Sequence, residues 1–501
     1  MIQNKIWRWP LACALAFSAA AWSEAVSLER NQAEVQAVTF KNPVVWADVP
    51  DPDVIRVGDY FYMVSTTMHL MPGAPVMRSR DLVNWETVSY LFDELHETPK
   101  YDMEEGTVYG RGQWATSIRY HDGKFYALFS PNDVPYRSFV YTTDDPAKGW
   151  TLHSRMKHFH DASLFFDDDG RVYVFYGTGQ LTELEADLSG VKEGGVDMTL
   201  QVRDEEEKGL LEGSRVIKHD GKYYLLMISW PNGGKRRQLC YRADKITGPY
   251  EKKVILCDNF AGFPYVGQGT IVDDAKGNWY GVIFQDRGGV GSVLTLSPCH
   301  WIDGWPMLGD EGKDLITYPK PATGKKSKIK SPATTDEFNA SQLGLQWQWN
   351  HNPDNSRWSL KERKGYMRLY ASQASTLKDA RNTLTQRVQG PSCEGSVEME
   401  VTGLKDGNIA GFGIFEFPYA YVAIRQESGR RKIVMCNDGK DIETVEHFNG
   451  DKLWIRVRAT DKEFKALFYY SLDGVNYKRI GNELQMGLGL PWTANRFALF
   501  N

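Results

Sequence analysis

One pattern restarts five times in the first three hundred residues, and it restricts the fold more than any other feature. DPDVIRVGDYFYMV from Asp51, WATSIRYHDGKFYALF from Trp114, DASLFFDDDGRVYVFY from Asp161, EGSRVIKHDGKYYLLM from Glu212 and QGTIVDDAKGNWYGVI from Gln268 share one plan. Each runs from a polar or ring residue through a small residue and a β-type stretch to a Gly/Asp turn and an aromatic strand. In the last four, the turn glycine (Gly123, Gly170, Gly221, Gly277) stands nine residues after the first residue. Alternating apolar residues around such turns form hairpins. Each hairpin precedes a more polar strand pair, as in VMRSRDLVNWETV, VYTTDDPAKGWTL and CYRADKITGPYEKK. Units of about fifty residues with about four strands predict the blades of a five-bladed β-propeller. A β-sandwich also has many short strands, but no reason to restart one motif five times.

The repeat also locates a site. The first strand of a blade lies nearest the axis, so Asp51, Trp114, Asp161, Glu212 and Gln268 are expected around one mouth of the channel. Each is followed by a small residue (Pro52, Ala115, Ala162, Gly213, Gly269) and then a short polar one (Asp53, Thr116, Ser163, Ser214, Thr270). Three carboxylates, a tryptophan and a glutamine therefore converge. Glycosidic cleavage needs a proton donor for the leaving oxygen and a carboxylate for water or the anomeric carbon. Crowding raises the pKa of one acid, a third carboxylate can tune and orient the donor, and an indole offers a flat face to a sugar ring. Binding of a hard cation or capping of strand ends is the alternative use of such acids. Asp122, Asp168, Asp169 and Asp220 sit in hairpin turns, where solvated aspartate is expected.

These residues resemble glycoside hydrolase family 43, the β-xylosidase and α-L-arabinofuranosidase type. The resemblance is carried, from about Asn42 to Pro306, by NPVVWADVPDPDVIRVGDYFYM, VMRSRDLVNW, GQWATSIRYHDGKFY, HDASLFFDDDGRVYVFYGTG, LLEGSRVIKHDGKYYL and WIDGWP in the family's order. It implies an inverting mechanism, with Asp51 as general base, Glu212 as general acid and Asp161 as the residue that modulates the acid's pKa and orients it. An inverting pair stands roughly 6.5–9.5 Å apart to admit water. Trp114 is similar to the family's ring at the sugar subsite, and Met68, His69 and Gln268 are further candidates for substrate binding. Three departures stand out. WATS replaces the common WAPS at Trp114. Gly267-Gln268-Gly269-Thr270 replaces a His-containing segment tied to an axial calcium or water, so no cofactor is required and calcium stays an open alternative. Ser292 stands where many relatives place a substrate-contacting arginine, with Arg287 nearby.

Elsewhere the chain supplies bounds. Lys5 and Arg8 precede the apolar stretch Pro10 to Trp22 and then small residues, which predicts a signal peptide over 1–25 and a periplasmic or secreted protein. The apolar run is too short to span a bilayer, so no membrane association is expected after its removal. A net charge of -5 without a long basic run argues against nucleic acid. No Gly-rich phosphate loop opens a helix, which argues against nucleotide chemistry. The five cysteines after the leader lack CxxC spacing, so zinc is not expected, and their odd number leaves at least one free thiol.

A propeller over 38–318 is expected to give way to a linker at 319–334, rich in Lys, Pro, Ser and Thr. Short strands from 335 to 501 predict a β-sandwich of the concanavalin-like jelly-roll type that follows the propeller in a subset of the same family, where it packs on the propeller and narrows the pocket. Its Trp-rich start, LQWQWNHNPDNSRWSL, suits core packing ahead of carbohydrate binding. Such a sandwich is expected to continue past RFALFN, leaving this domain truncated, with an incomplete or unpaired C-terminal edge. The expected activity is release of xylose or arabinose from oligosaccharides or polysaccharides. An endo-arabinanase and a catalytically silent sugar-binding propeller are the alternatives.

Overall fold

A computed structural model describes residues 39–200, 202–257, 266–310, 312, 316–321, 332–487 and 492–501. The expected leader and most of the expected linker lie outside these residues. Five four-stranded antiparallel sheets follow one another in chain order. Their first strands are Asp53–Val57, Ser117–His121, Ser163–Phe166, Leu210–His219 and Val266–Asp273. Each touches the first strand of the next blade, and the fifth touches the first, so the ring closes.

Strand periodicity explains why the blades stack. Successive side chains point to opposite faces. In Lys222–Trp230 of the fourth blade, Tyr223, Leu225 and Met227 pack against Phe165, Tyr173 and Phe175 of the third. Tyr224 and Leu226, between them, pack against Ile271 and Ile283 of the fifth. Each fully buried side chain of this kind contributes roughly 1.5–3 kcal/mol. Apolar clusters fill the remaining three blade interfaces as well. The seam between the fifth and first blades is clamped by the N-terminal segment. Thr39–Lys41 pairs with Thr317–Pro319, and the Asn42 side chain both donates to and accepts from Leu296 at 2.9 Å.

The second unit is a sandwich of two antiparallel sheets. The five-stranded sheet runs Ser392–Glu400, Lys452–Thr460 and Lys465–Ser471, the last pairing with both Lys478–Arg479 and Leu484–Gln485. In the other sheet Arg496–Phe500 lies between Ile409–Phe415 and Leu384–Arg387, bonded on both sides. The expectation of an unpaired edge at RFALFN is thus corrected: these residues form an interior strand. That sheet ends on a strand from the propeller, because Leu70–Met71 pairs with Gln348–Asn350.

Trp349 is buried and Trp347 donates to Asp336 while stacking on Phe338, which is the packing role expected for the Trp-rich start. The next residues are the docking strip. Asn350 donates to the Tyr109 hydroxyl, His351 accepts from Val108 N, and Asn352 exchanges bonds with the Leu95 backbone.

Candidate active site

The structure brings Asp51, Asp161, Glu212, Trp114 and Gln268 to one mouth of the propeller. Asp51 precedes its strand in a left-handed backbone conformation, φ 53°. Its Oδ2 accepts from the Thr66 hydroxyl at 2.7 Å. The Gln268 carboxamide is oriented by its neighbours: its nitrogen donates to Asp51 Oδ1 at 3.3 Å and its oxygen accepts from Arg215. Burial pushes the Asp51 carboxyl up. Thr66 and the Arg215 charge oppose that shift, and Glu212 and Asp286 reinforce it.

Asp161, also at positive φ, is 5 % exposed. Burial raises its pKa to about 7, with the Glu212 and Asp51 charges adding to the effect and His160 and Arg215 opposing it. Glu212 is about one-third exposed at the pocket surface. His160 stands between the two acids, its Nε2 3.7 Å from Asp161 and 3.6 Å from Glu212, under the Trp114 ring at 5.5 Å. Burial disfavours the imidazolium, but the bond to Glu212 and the surrounding carboxylates more than offset it and raise the pKa to about 9. His160 is a site residue that the repeat did not single out, although it directly precedes Asp161 in HDASLF.

A second missed residue is Arg215. The third positions of the repeat were expected to match as Asp53, Thr116, Ser163, Ser214 and Thr270. The cross-blade bonds show a shift of one residue in two blades. Asp53 accepts from Ile118 N, Ser117 from Leu164 N and Ser163 from Val216 N, so Ser117 and Arg215 stand at the level of Asp53 and Ser163. A bulge between Glu212 and Arg215 causes this in the fourth blade. It requires glycine at 213, where φ is 78° and a Cβ would meet the Gln268 side chain at 2.7 Å.

Met68 lines a cleft between propeller and sandwich with Pro50, Thr66, Trp492 and Ala494. His69 also borders this cleft, but its ring faces the sandwich, 4.8 Å from Tyr109 and 5.1 Å from His351. Burial drives its pKa down to about 3, leaving a neutral ring that accepts from Gly110 N. Ser292 donates to Asp286, which is ion-paired with buried Arg236. Arg236 packs against Trp230, Phe284 and Trp492. Arg287 lies over Trp46, and the guanidinium linked to Ser292, through Asp286, is that of Arg236.

Ligating atoms of His160, Asp161 and Glu212 fall within 4.8 Å of one another, a set that could hold a cation. Asp204, Glu206 and Glu207 form a second acidic cluster, which is ion-paired with Lys252 and Arg237. Asp122, Asp168 and Asp220 are exposed in their turns. Cys240, Cys257, Cys299, Cys393 and Cys436 form no disulfide. Among the described residues no helix is long and apolar enough to cross a membrane.

Comparison with known proteins is consistent along the chain. The sequence model of "Glycosyl hydrolases family 43" matches residues 40–306, and that of "Beta xylosidase C-terminal Concanavalin A-like domain" matches 335–497. A beta-xylosidase of Formosa agariphila is 29% identical over 92% of this chain and 87% of its own. A non-reducing end alpha-L-arabinofuranosidase of Bacteroides ovatus is 29% identical over 70% of this chain and 66% of its own. Among solved structures, a bifunctional GH43-CE protein of Bacteroides eggerthii superposes with a TM-score of 0.85 at 41% identity over 92% of this chain. The match spans 61% of that longer chain. A GH43 glycoside hydrolase engineered to display both endo-xylanase and exo-arabinofuranosidase activity gives 0.82 at 30% identity, over 92% of this chain and 96% of its own.

Proposed function

This chain belongs to glycosyl hydrolase family 43, and from that premise we propose an exported, inverting, exo-acting glycosidase that releases xylose or arabinose from short pentose chains or arabinose from side branches. The observation that carries the reading is the convergence of Asp51, Asp161 and Glu212, from three different blades, beside the Trp114 ring. Glu212, about one-third exposed, protonates the leaving oxygen. Asp51, its two oxygens held by Thr66 and Gln268, takes a proton from the attacking water. Asp161, raised to about 7, and His160, raised to about 9, stand beside Glu212, His160 Nε2 3.6 Å from it, and hold protons within reach of it near neutral pH.

Exo action is supported by the sandwich, whose Trp492, Thr493 and Ala494 wall a cleft with Pro50 and with Thr66, the residue bonded to Asp51. Export rests on the charged start and short apolar stretch of residues 1–25. The test is release of p-nitrophenol from the β-D-xyloside and the α-L-arabinofuranoside by the wild type and Asp51→Asn. Activity on either substrate that collapses in the variant is expected, and the ratio names the sugar. Binding of pentose oligosaccharides without turnover would overturn the reading in favour of a silent sugar-binding propeller.

A further inference from the structure

The axis of the propeller holds a cation of its own. Arg215 has no exposed side-chain surface. Its Nη2 donates to Asp51 O at 3.0 Å and Thr116 O at 3.3 Å, and its Nη1 to Ser214 O at 2.8 Å and Ala162 O at 3.4 Å. The Gln268 oxygen accepts from both nitrogens at 3.1 Å. These five oxygens come one from each blade. Nε lies 3.6 Å from Asp53 Oδ1, while Asp53 Oδ2 is taken by Ile118 N and Arg119.

A ring of converging carbonyl oxygens with a carboxylate behind it is the donor set a hard divalent cation selects. Here the planar guanidinium uses those oxygens, and residue 268 offers a carboxamide that is already committed to Asp51 and Arg215. The residues present therefore do not fit an axial calcium. We propose that Arg215 is the built-in axial cation of this propeller: a positioning residue that ties the five inner strands together and fixes Asp51 and Gln268, so that catalysis needs no axial metal. The bulge at Gly213 is the device that places it, since without the extra residue Ser214 would face the axis.

The proposal rests on Asp51 being the base, and its test separates the two ideas, because failure of the hydrolase reading leaves even the wild type inactive. Wild-type enzyme freed of metals by chelation is assayed on aryl pentosides with and without millimolar Ca²⁺, and its melting temperature is recorded in both states. Arg215→Lys and Arg215→Met are then compared across a pH series. The expected result is wild-type activity and melting temperature unchanged by chelation or Ca²⁺. Arg215→Met is expected to lose about 100-fold or more in kcat/KM, with the acid limb of its pH profile moved upward as Asp51 loses a stabilising positive charge. Arg215→Lys, which keeps the charge but not the fork, is expected to retain the position of that limb with a smaller loss.

Abolition of wild-type activity by chelation and its return with Ca²⁺ would overturn the proposal. So would a folded Arg215→Met with the wild-type pH profile. If Arg215→Met does not fold, Arg215→Lys decides: a limb displaced from the wild-type position counts against the proposal, and an unchanged limb with reduced kcat supports it.

Discussion

The propeller mouth and the seam with the sandwich both bury polar side chains, yet they treat charge in opposite ways. At the mouth, half-buried Asp51 and buried Asp53 and Asp161 surround the Arg215 guanidinium, with His160 raised to about 9 beside them. At the seam, His69, Gln348, Asn350, His351 and Asn352 are equally buried, but burial holds both histidines far below their usual pKa, and every group is a neutral donor or acceptor. Neutral hydrogen bonds of this kind contribute about 0.5–1.5 kcal/mol each to holding the two domains together. Concentrated charge is costly to bury and is found where a proton must be moved. The seam also carries charge, in the half-buried Arg381–Asp102 ion pair at 2.7 Å beside Asn352 and in a charged corner at the cleft, where burial raises Asp48 to about 6 and Glu416 to about 7.

The contrast breaks most severely if the mouth loses its acids. Asp51→Asn should reduce kcat by about 10²–10⁴-fold on every substrate, since water activation is needed for each. Glu212→Gln should cost a similar factor on xylobiose and much less on nitrophenyl pentosides, whose leaving group needs little protonation. Parallel steady-state kinetics on the two substrate types checks both. An equal loss for Glu212→Gln on both would remove it from the role of acid.

A smaller break is expected at His160. His160→Gln should lower kcat by about 10-fold or more with little change in KM, and should alter the alkaline limb of the pH profile. The imidazolium, raised to about 9, contributes stability that is present below pH 6.5 and lost as pH rises through 9. Melting temperatures from pH 6 to 9 should therefore fall less steeply in His160→Gln than in the wild type.

Much of this mouth was legible because five blades repeat one motif, so equivalent positions could be aligned without coordinates. Arg215 was not, because a one-residue bulge at Gly213 changes which side chain faces the axis while the local composition barely changes. His160 escaped for a related reason: it belongs to the loop entering the third blade, and only folding sets it against Glu212 from the fourth. The seam was the least legible region. Pairing of Leu70–Met71 with Gln348–Asn350 joins segments far apart in the chain, and no local period announces it. The last strand was misjudged likewise, since its neighbours in the sheet are non-local on both sides.

At the seam, changes should affect stability and spare chemistry. His351→Ala leaves Val108 N without its acceptor and opens a void beside Tyr109 and His69, at a cost of about 2–3 kcal/mol. Denaturant unfolding should register this loss with kcat on aryl pentosides within about twofold; a collapse of kcat would place the seam in the catalytic machinery. The smallest effect belongs to the charged corner. An acid whose pKa is raised on folding stabilises the fold while protonated and loses that contribution as pH rises, here between about 4.5 and 7 for Glu416. Glu416→Gln should leave the melting temperature unchanged at pH 4 and raise it slightly at pH 8.

The claim that ties these predictions together is that Asp51 activates water on the face of the sugar opposite Glu212. Proton NMR of the first-formed anomer during hydrolysis of a β-xyloside or an α-L-arabinofuranoside, whichever is turned over, tests it directly. The account predicts the inverted anomer, formed by the wild type and lost in Asp51→Asn. Initial release of the retained anomer, or undiminished turnover in that variant, would contradict it.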